Sequence, residues 1–375
     1  MAVTSNNAVR AVIEGVPQVG FYCGGVRCPE DVPFPSCLRA CLEYLGDGVR
    51  CQEAIAEGRR RRHTCCYGYI MGTSGAAFRL LWNPDRWDAA NTDLMSMAED
   101  PTEPFRRAFD AVGYEFLFTA KNGSQSNEEE FRRIVIESIR DRKRPVLAFG
   151  VVGPPECCIV TGYDEGGDVL IGWSFFQAAP EYAHGVDFEA SGYFRKRGWY
   201  ADTVAVLALG ERHGRPEPEL ALRTALEWAL EVVKTPSVCG RHNGHAAYEA
   251  WAEALLRDDD FPAGDLAVLR ERHLAHNDAV GTVAEGRWYA SRFLMDMAMQ
   301  VPAAARHLLA AAGNFEAEHD LIRKLWALQG GNGWDEAFVR KLAEPEVRRD
   351  SAKIIGQARE KDLRAVEFLE RALGA

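Results

Sequence analysis

Apolar residues recur at three- and four-residue intervals at Leu38, Cys41, Leu42 and Leu45, directly after the proline-rich turn PFPSC, and the run stops at Gly46 and Asp47. That spacing predicts one short helix. The stretch 67–82, YGYIMGTSGAAFRLLW, is rich in glycine and small side chains and is expected to lie close against neighbouring backbone before running into a strand. PTEPFRRAFDAVGYEF reads as a helix from Glu103 or Pro104 that stops at Gly113, and a second runs from Asn127 to Arg140. The latter opens on an Asn cap and three glutamates, which suit the positive end of the helix dipole. From Pro145 the period changes: VLAFGVV, CCIVTGY and DVLIGWSFF are short apolar runs separated by GPPE and DEGG, and TVAVLAL follows at 203–209. These are strands joined by tight turns. Helices first and antiparallel strands afterwards predict an α+β fold rather than the alternation of a doubly wound sheet.

The segment 212–219, RHGRPEPE, is charged, holds two prolines and has no apolar period, so it reads as a linker. The expected domains are therefore 1–211, α+β, and 219–375, all-α. In the second, Leu222, Leu226, Ala229, Leu230 and Val233 form one stripe, and Tyr248, Trp251 and Leu255 another. The segments 280–299, 303–312, 315–328 and 346–373 continue the pattern, which predicts a bundle of about six or seven helices. No repeat of fixed period is visible.

Composition narrows the functional classes. The 375 residues carry 44 basic and 55 acidic side chains, a net charge of −11, which excludes reliance on the clustered positive charge that nucleic-acid binding draws on. The basic run Arg59–Arg62 is expected to be a solvated loop. No stretch reaches the roughly 18 uninterrupted apolar residues of a membrane span, and the N-terminus lacks a signal-peptide profile, so a soluble cytoplasmic protein is expected. Ten cysteines, at 23, 28, 37, 41, 51, 65, 66, 157, 158 and 239, then read mainly as reduced, buried thiols. No CxxC pair exists, and adjacent cysteines in a strand point to opposite faces, so no metal site and no cofactor are expected.

Among these thiols Cys37 stands apart, because a cysteine opening a helix is placed where the dipole favours thiolate. A thiolate nucleophile also needs a base and a group that holds the base in its working tautomer. Elsewhere, His242 and His245 stand three apart at a helix start, and His273 and His276 repeat the spacing, without a further ligand in phase. Arg287, Trp288 and Arg292 read as bundle core with arginines snorkelling to the rim.

The segments PSCLRACLEYLG, YGYIMGTSGAAFRL and RPVLAFGVVGPPECCIVTGYDEGGDVLIGWSFF resemble the N-terminal domain of the butirosin-biosynthesis protein H family and, more distantly, bacteriocin-processing cysteine peptidases and other papain-like proteins. The likeness covers roughly residues 20–210 and implies a papain-like cysteine-peptidase fold followed by a helical extension. It maps the nucleophile onto Cys37 and makes Cys41 a packing residue. Where the family has its histidine this chain reads Pro155-Glu156-Cys157, and where it has aspartate or asparagine, Trp173-Ser174. The glutamine expected just before the cysteine is replaced, the nearest being Gln18.

What the resemblance implies is cysteine-dependent acyl transfer or amide hydrolysis on an acyl or peptidyl small molecule, with Cys37 as nucleophile, Glu156 as its base and an acyl-carrier protein as a partner. The rival reading is a non-catalytic binding module, its cleft lined by Tyr69, Trp173 and Phe175. His184 falls on a loop between sheet strands, a surface histidine within reach of that cleft. A third reading is an assembly protein whose helical half forms a homo-oligomer.

Overall fold

Residues 9–22, 28–48, 62–123, 126–331 and 333–375 are described by the computed structural model of the chain. They form an α+β structure with an antiparallel sheet and a helical C-terminal region. The chain falls into two compact units, and the division is interleaved: of the described residues, 9–22, 28–48, 62–67 and 112–215 make the first, and 68–111 and 216–375 the second. The polypeptide passes from one to the other after Tyr67, Ala111 and Arg215. The basic run Arg59–Arg62 lies, but for the backbone of Arg62, outside the described residues. Among the described residues no helix is long and apolar enough to cross a membrane.

The first unit is built on strands β1 (Ala11–Val12), β3 (Tyr114–Ala120), β4 (Val146–Phe149), β5 (Cys157–Asp164), β6 (Val169–Trp173), β7 (Val186–Phe188), β8 (Phe194–Arg197) and β9 (Ala205–Arg212). They hydrogen-bond in the order β3-β9-β4-β5-β6-β8-β7, every pair antiparallel. β4 pairs with β5 as far as Val146↔Val160, and β1 takes over that edge with Val12↔Gly162 and Ala11↔Tyr163. All of β4 and β6, and β5 up to Tyr163, are buried, which is why these strands read as continuous apolar runs instead of alternating ones.

Helix α1 (Pro33–Tyr44) packs on β5. Its first turn carries Pro33 and Pro35, tolerated there because those amides have no partner within the helix. Helix α4 (Glu128–Ile136), continued by a π turn Glu137–Asp141, packs on β5 and β9. Asn127 does not cap it as expected. Its Nδ2 donates instead to the Ala120 carbonyl at 3.0 Å, and its Oδ1 accepts from the Tyr200 hydroxyl at 2.9 Å, tying the loop after β3 to the rest of the unit.

Helix α2 (Arg62–Thr73) carries the chain into the second unit, which also holds β2 (Leu81–Trp82), α3 (Glu103–Val112, ending at the crossover), α5 (Pro218–Lys234), β10 (Ser237–Val238) and β11 (Arg241–Asn243). It continues with α6 (His245–Leu255), α7 (Leu266–Gln300), α8 (Ala305–Leu328), α9 (Glu336–Ala343) and α10 (Pro345–Leu373). α7 packs on α8, α8 on α10, and α10 on α6, while β10, β11 and β2 form a small antiparallel sheet. The glycine-rich stretch continues α2 to Thr73 and then runs into β2 at Leu81, as its expected course into a strand requires. Its small residues do admit close neighbours: a Cβ on Gly72 would lie 2.3 Å from the Phe293 ring. The core of this unit centres on Trp82, stacked on Trp251 with ring centroids 6.0 Å apart, and edged by Trp87.

Candidate functional site

Cys37 lies in the opening turns of α1, and because α1 packs on β5 its side chain meets the first residue of that strand. The Cys37 Sγ donates to the main-chain carbonyl of Cys157 at 3.5 Å, and the Cys157 Sγ donates to the Cys158 carbonyl at 3.8 Å. Cys37 is 0% exposed. One residue further along β5 the pleat turns Cys158 towards β4, where its Sγ donates to the Ala148 carbonyl at 3.2 Å. Cys41 follows one helical turn after Cys37 and is also buried.

Three of the four thiols, Cys41, Cys157 and Cys158, are held in the neutral form. Burial pushes the Cys157 thiol well above its ordinary value, with Cys37 adding to the effect. Burial does the same for Cys41 and Cys158, and in each case Cys37 is the next contributor. A low-dielectric site penalises the charged form, and thiol neighbours supply no positive charge to offset that. Among the described residues no histidine hydrogen-bonds the Cys37 thiol.

The remaining candidates are distributed as follows. Glu156 stands half-buried one residue before β5, its carbonyl accepting from Gly150 N at 3.1 Å to close the turn after β4. Ser174 donates its hydroxyl to the Val152 carbonyl at 2.7 Å. Trp173 is buried, with Nε1 donating to the Val16 carbonyl at 3.0 Å and its ring 4.7 Å from that of Tyr193. Phe175 is buried too, its ring 5.2 Å from Phe21. His184 is exposed, and its carbonyl accepts from Lys196 Nζ at 2.7 Å. Tyr69 belongs to the second unit, where its hydroxyl donates to the Ala111 carbonyl at 3.2 Å and its ring lies against Phe293. The structure thus brings Cys37 together with Cys157. Trp173 and Phe175 are packing residues of the same unit.

A second cluster lies in the helical unit, and sequence spacing pointed away from it. Arg287, expected to snorkel, is 0% exposed. Its Nε and Nη2 reach Asp362 Oδ2 at 2.9 and 2.8 Å, Nη1 donates to the Ala77 carbonyl at 2.9 Å, and Nη2 donates to the Tyr248 hydroxyl at 2.9 Å. Tyr248 in turn donates to Glu318. His245 Nε2 lies 2.9 Å from Asp362 Oδ1. Burial would raise the Asp362 carboxyl, but Arg287 and His245 outweigh it and hold the group below its ordinary value. Glu318 is pushed well above the carboxylate range by burial and then by Asp362. Arg292, by contrast, does reach the rim, where it pairs with Glu316 at 2.9 Å over the Trp288 ring. Among the described residues no three His, Cys, Asp or Glu side chains are grouped so as to hold a metal ion.

No protein-family model matches the chain, and no curated protein matches it.

Proposed function

We propose that the first unit is a papain-like domain that has given up nucleophilic use of Cys37 and serves as a binding module for an acyl or peptidyl small molecule. The observation that carries this reading is the partner of Cys37. At the start of α1, over the start of β5, the thiol faces the carbonyl and thiol of Cys157, where a working dyad requires an imidazole. Complete burial of Cys37 supports the same reading, since a nucleophile must be reached by its substrate.

The second reading is acyl transfer through Cys37, with Glu156 as base and an acyl-carrier protein delivering the acyl group. The place of Cys37 in the second turn of α1 favours it, because the thiol stands near the positive end of the helix dipole.

Site-resolved alkylation of the native chain from pH 5 to pH 9 separates the two. Under the binding reading the exposed Cys239 labels and Cys37 does not until the chain unfolds. Preferential labelling of Cys37 with an apparent pKa clearly below about 8.5 overturns the binding reading in favour of transfer. A panel of acyl-N-acetylcysteamine thioesters and short peptides, screened by thermal shift, completes the test: stabilisation that survives Cys37→Ala is expected of a binding module.

A further inference from the structure

Two carboxyls and one guanidinium meet in the helical unit at a junction from which water is excluded. Arg287 on α7, Glu318 on α8 and Asp362 on α10 are each 0% exposed. α6 adds Tyr248, also buried, and His245, whose side chain is 16% exposed and reaches Asp362 from the solvent side. The segment before β2 contributes the main-chain carbonyls of Ala77 and Arg79, and the Arg79 guanidinium donates to the carbonyls of Ala76 and Thr92. Arg359 of α10 lies outside the group, donating to the His245 carbonyl at 3.3 Å and pairing with Glu249. His319, next to Glu318, bonds through Nδ1 to the Ala284 carbonyl at 2.6 Å.

Charge counting constrains the protonation of this junction. With both carboxyls ionised and His245 uncharged, one arginine faces two negative charges in a dry interior, a buried net charge that costs several kcal/mol. With one proton retained, the group is neutral. The contacts say where the proton goes. Asp362 takes two guanidinium nitrogens and an imidazole within 2.9 Å. Glu318 takes the Tyr248 hydroxyl, lies 3.4 Å from Arg287 Nε, and buries Oε2 without a hydrogen-bond donor. A carboxylate oxygen lacking a donor is a poor place for negative charge.

We infer that Glu318 and Asp362 hold a single proton between them beneath Arg287, carried on Glu318, and that its loss as pH rises loosens the junction of α6, α7, α8 and α10. The unfolded chain releases this proton at the ordinary glutamic-acid pH, whereas the native chain keeps it to much higher pH. Stability is therefore unaffected below the unfolded value. Above it the folding constant falls about tenfold per pH unit, until the native group also ionises.

The test is unfolding of the full chain by urea between pH 5 and pH 9, for the wild type and for Glu318→Gln, which keeps the shape and the Tyr248 contact but has no proton to lose. The ratio of wild-type to E318Q folding constants is expected to fall about tenfold per pH unit over that range. Parallel pH curves overturn the inference. Infrared spectroscopy of the wild type gives a readout that needs no variant: the carbonyl stretch of a protonated carboxyl persists at pH 8, and its absence overturns the inference equally.

Discussion

Arg287 Nη2 and Asp362 Oδ2 lie 2.8 Å apart with both side chains fully buried, joining α7 to α10 through residues 75 positions apart in sequence. Breaking such a pair from one side leaves Arg287 to be balanced only by Glu318, 3.4 Å away and with Oε2 lacking a donor. Asp362→Asn is expected to lower stability by about 3–5 kcal/mol, measured by urea unfolding at neutral pH. The double replacement Arg287→Met with Asp362→Leu is expected to recover most of that loss, because it removes both charges together. A double variant no better than the single one would show that the pair's geometry, not the stranded charge, is what matters.

Asp278 on α7 is half-buried, and burial alone raises its pKa to about 7. The native chain then holds a proton that the unfolded chain loses near its ordinary value of 3.8. Stability contributed by this group is full below the unfolded value, declines as pH rises towards 7, and is flat above. Asp278→Asn removes the decline and is expected to stabilise the chain by on the order of 2–4 kcal/mol at pH 8, and by nothing at pH 3.5. Equal stabilities of the two proteins at pH 8 would contradict the shift.

Gly172 on β6 sits where a Cβ would come within 1.8 Å of the Ile159 carbonyl oxygen on β5. The obstacle is backbone in the centre of a sheet, so no side-chain rotation relieves it. Gly172→Ala is expected to cost more than about 3 kcal/mol or to prevent the first unit from folding, read by circular dichroism. A stable G172A chain with native β signal would mean that β5 and β6 can slip or separate.

Trp82, 2% exposed, stacks on Trp251 and meets Trp87 edge-on. Trp82→Ala is expected to destabilise the second unit by about 3–5 kcal/mol, seen as an earlier loss of native tryptophan fluorescence in urea. Trp82→Phe, which retains most of the buried area, is expected to cost less than half as much.

Much of this architecture was legible in the order of residues. The change of period at Pro145 marked the strands VLAF, CCIVTGYD and VLIGW, and the helix opening at PFPSC appears as α1 with Cys37 in its first turns. Local spacing carries this information because helix and strand periodicity is a property of near neighbours. It could not show that 68–111 groups with 216–375, since that grouping rests on contacts such as Gly72 with Phe293 and Trp228 Nε1 with the Ser74 carbonyl. The cap predicted at Asn127 failed for the same reason: partners from Ala120 and Tyr200 won its side chain.

The site divides along the same line. Sequence alone determined that a helix begins in PFPSC, though it opens at Pro33, four residues before Cys37, that adjacent cysteines open a strand, and that the chain is α+β with a helical C-terminal region, because each depends on residues a few positions apart. Only the tertiary structure decided that Cys37 faces Cys157, 120 residues away, and that Arg287 is sealed against Asp362 and Glu318 when helical spacing alone would place it at the rim. The reason is physical. What a thiol or a charge can do is set by burial and by the partners that surround it, and those are gathered by long-range packing that no local period encodes.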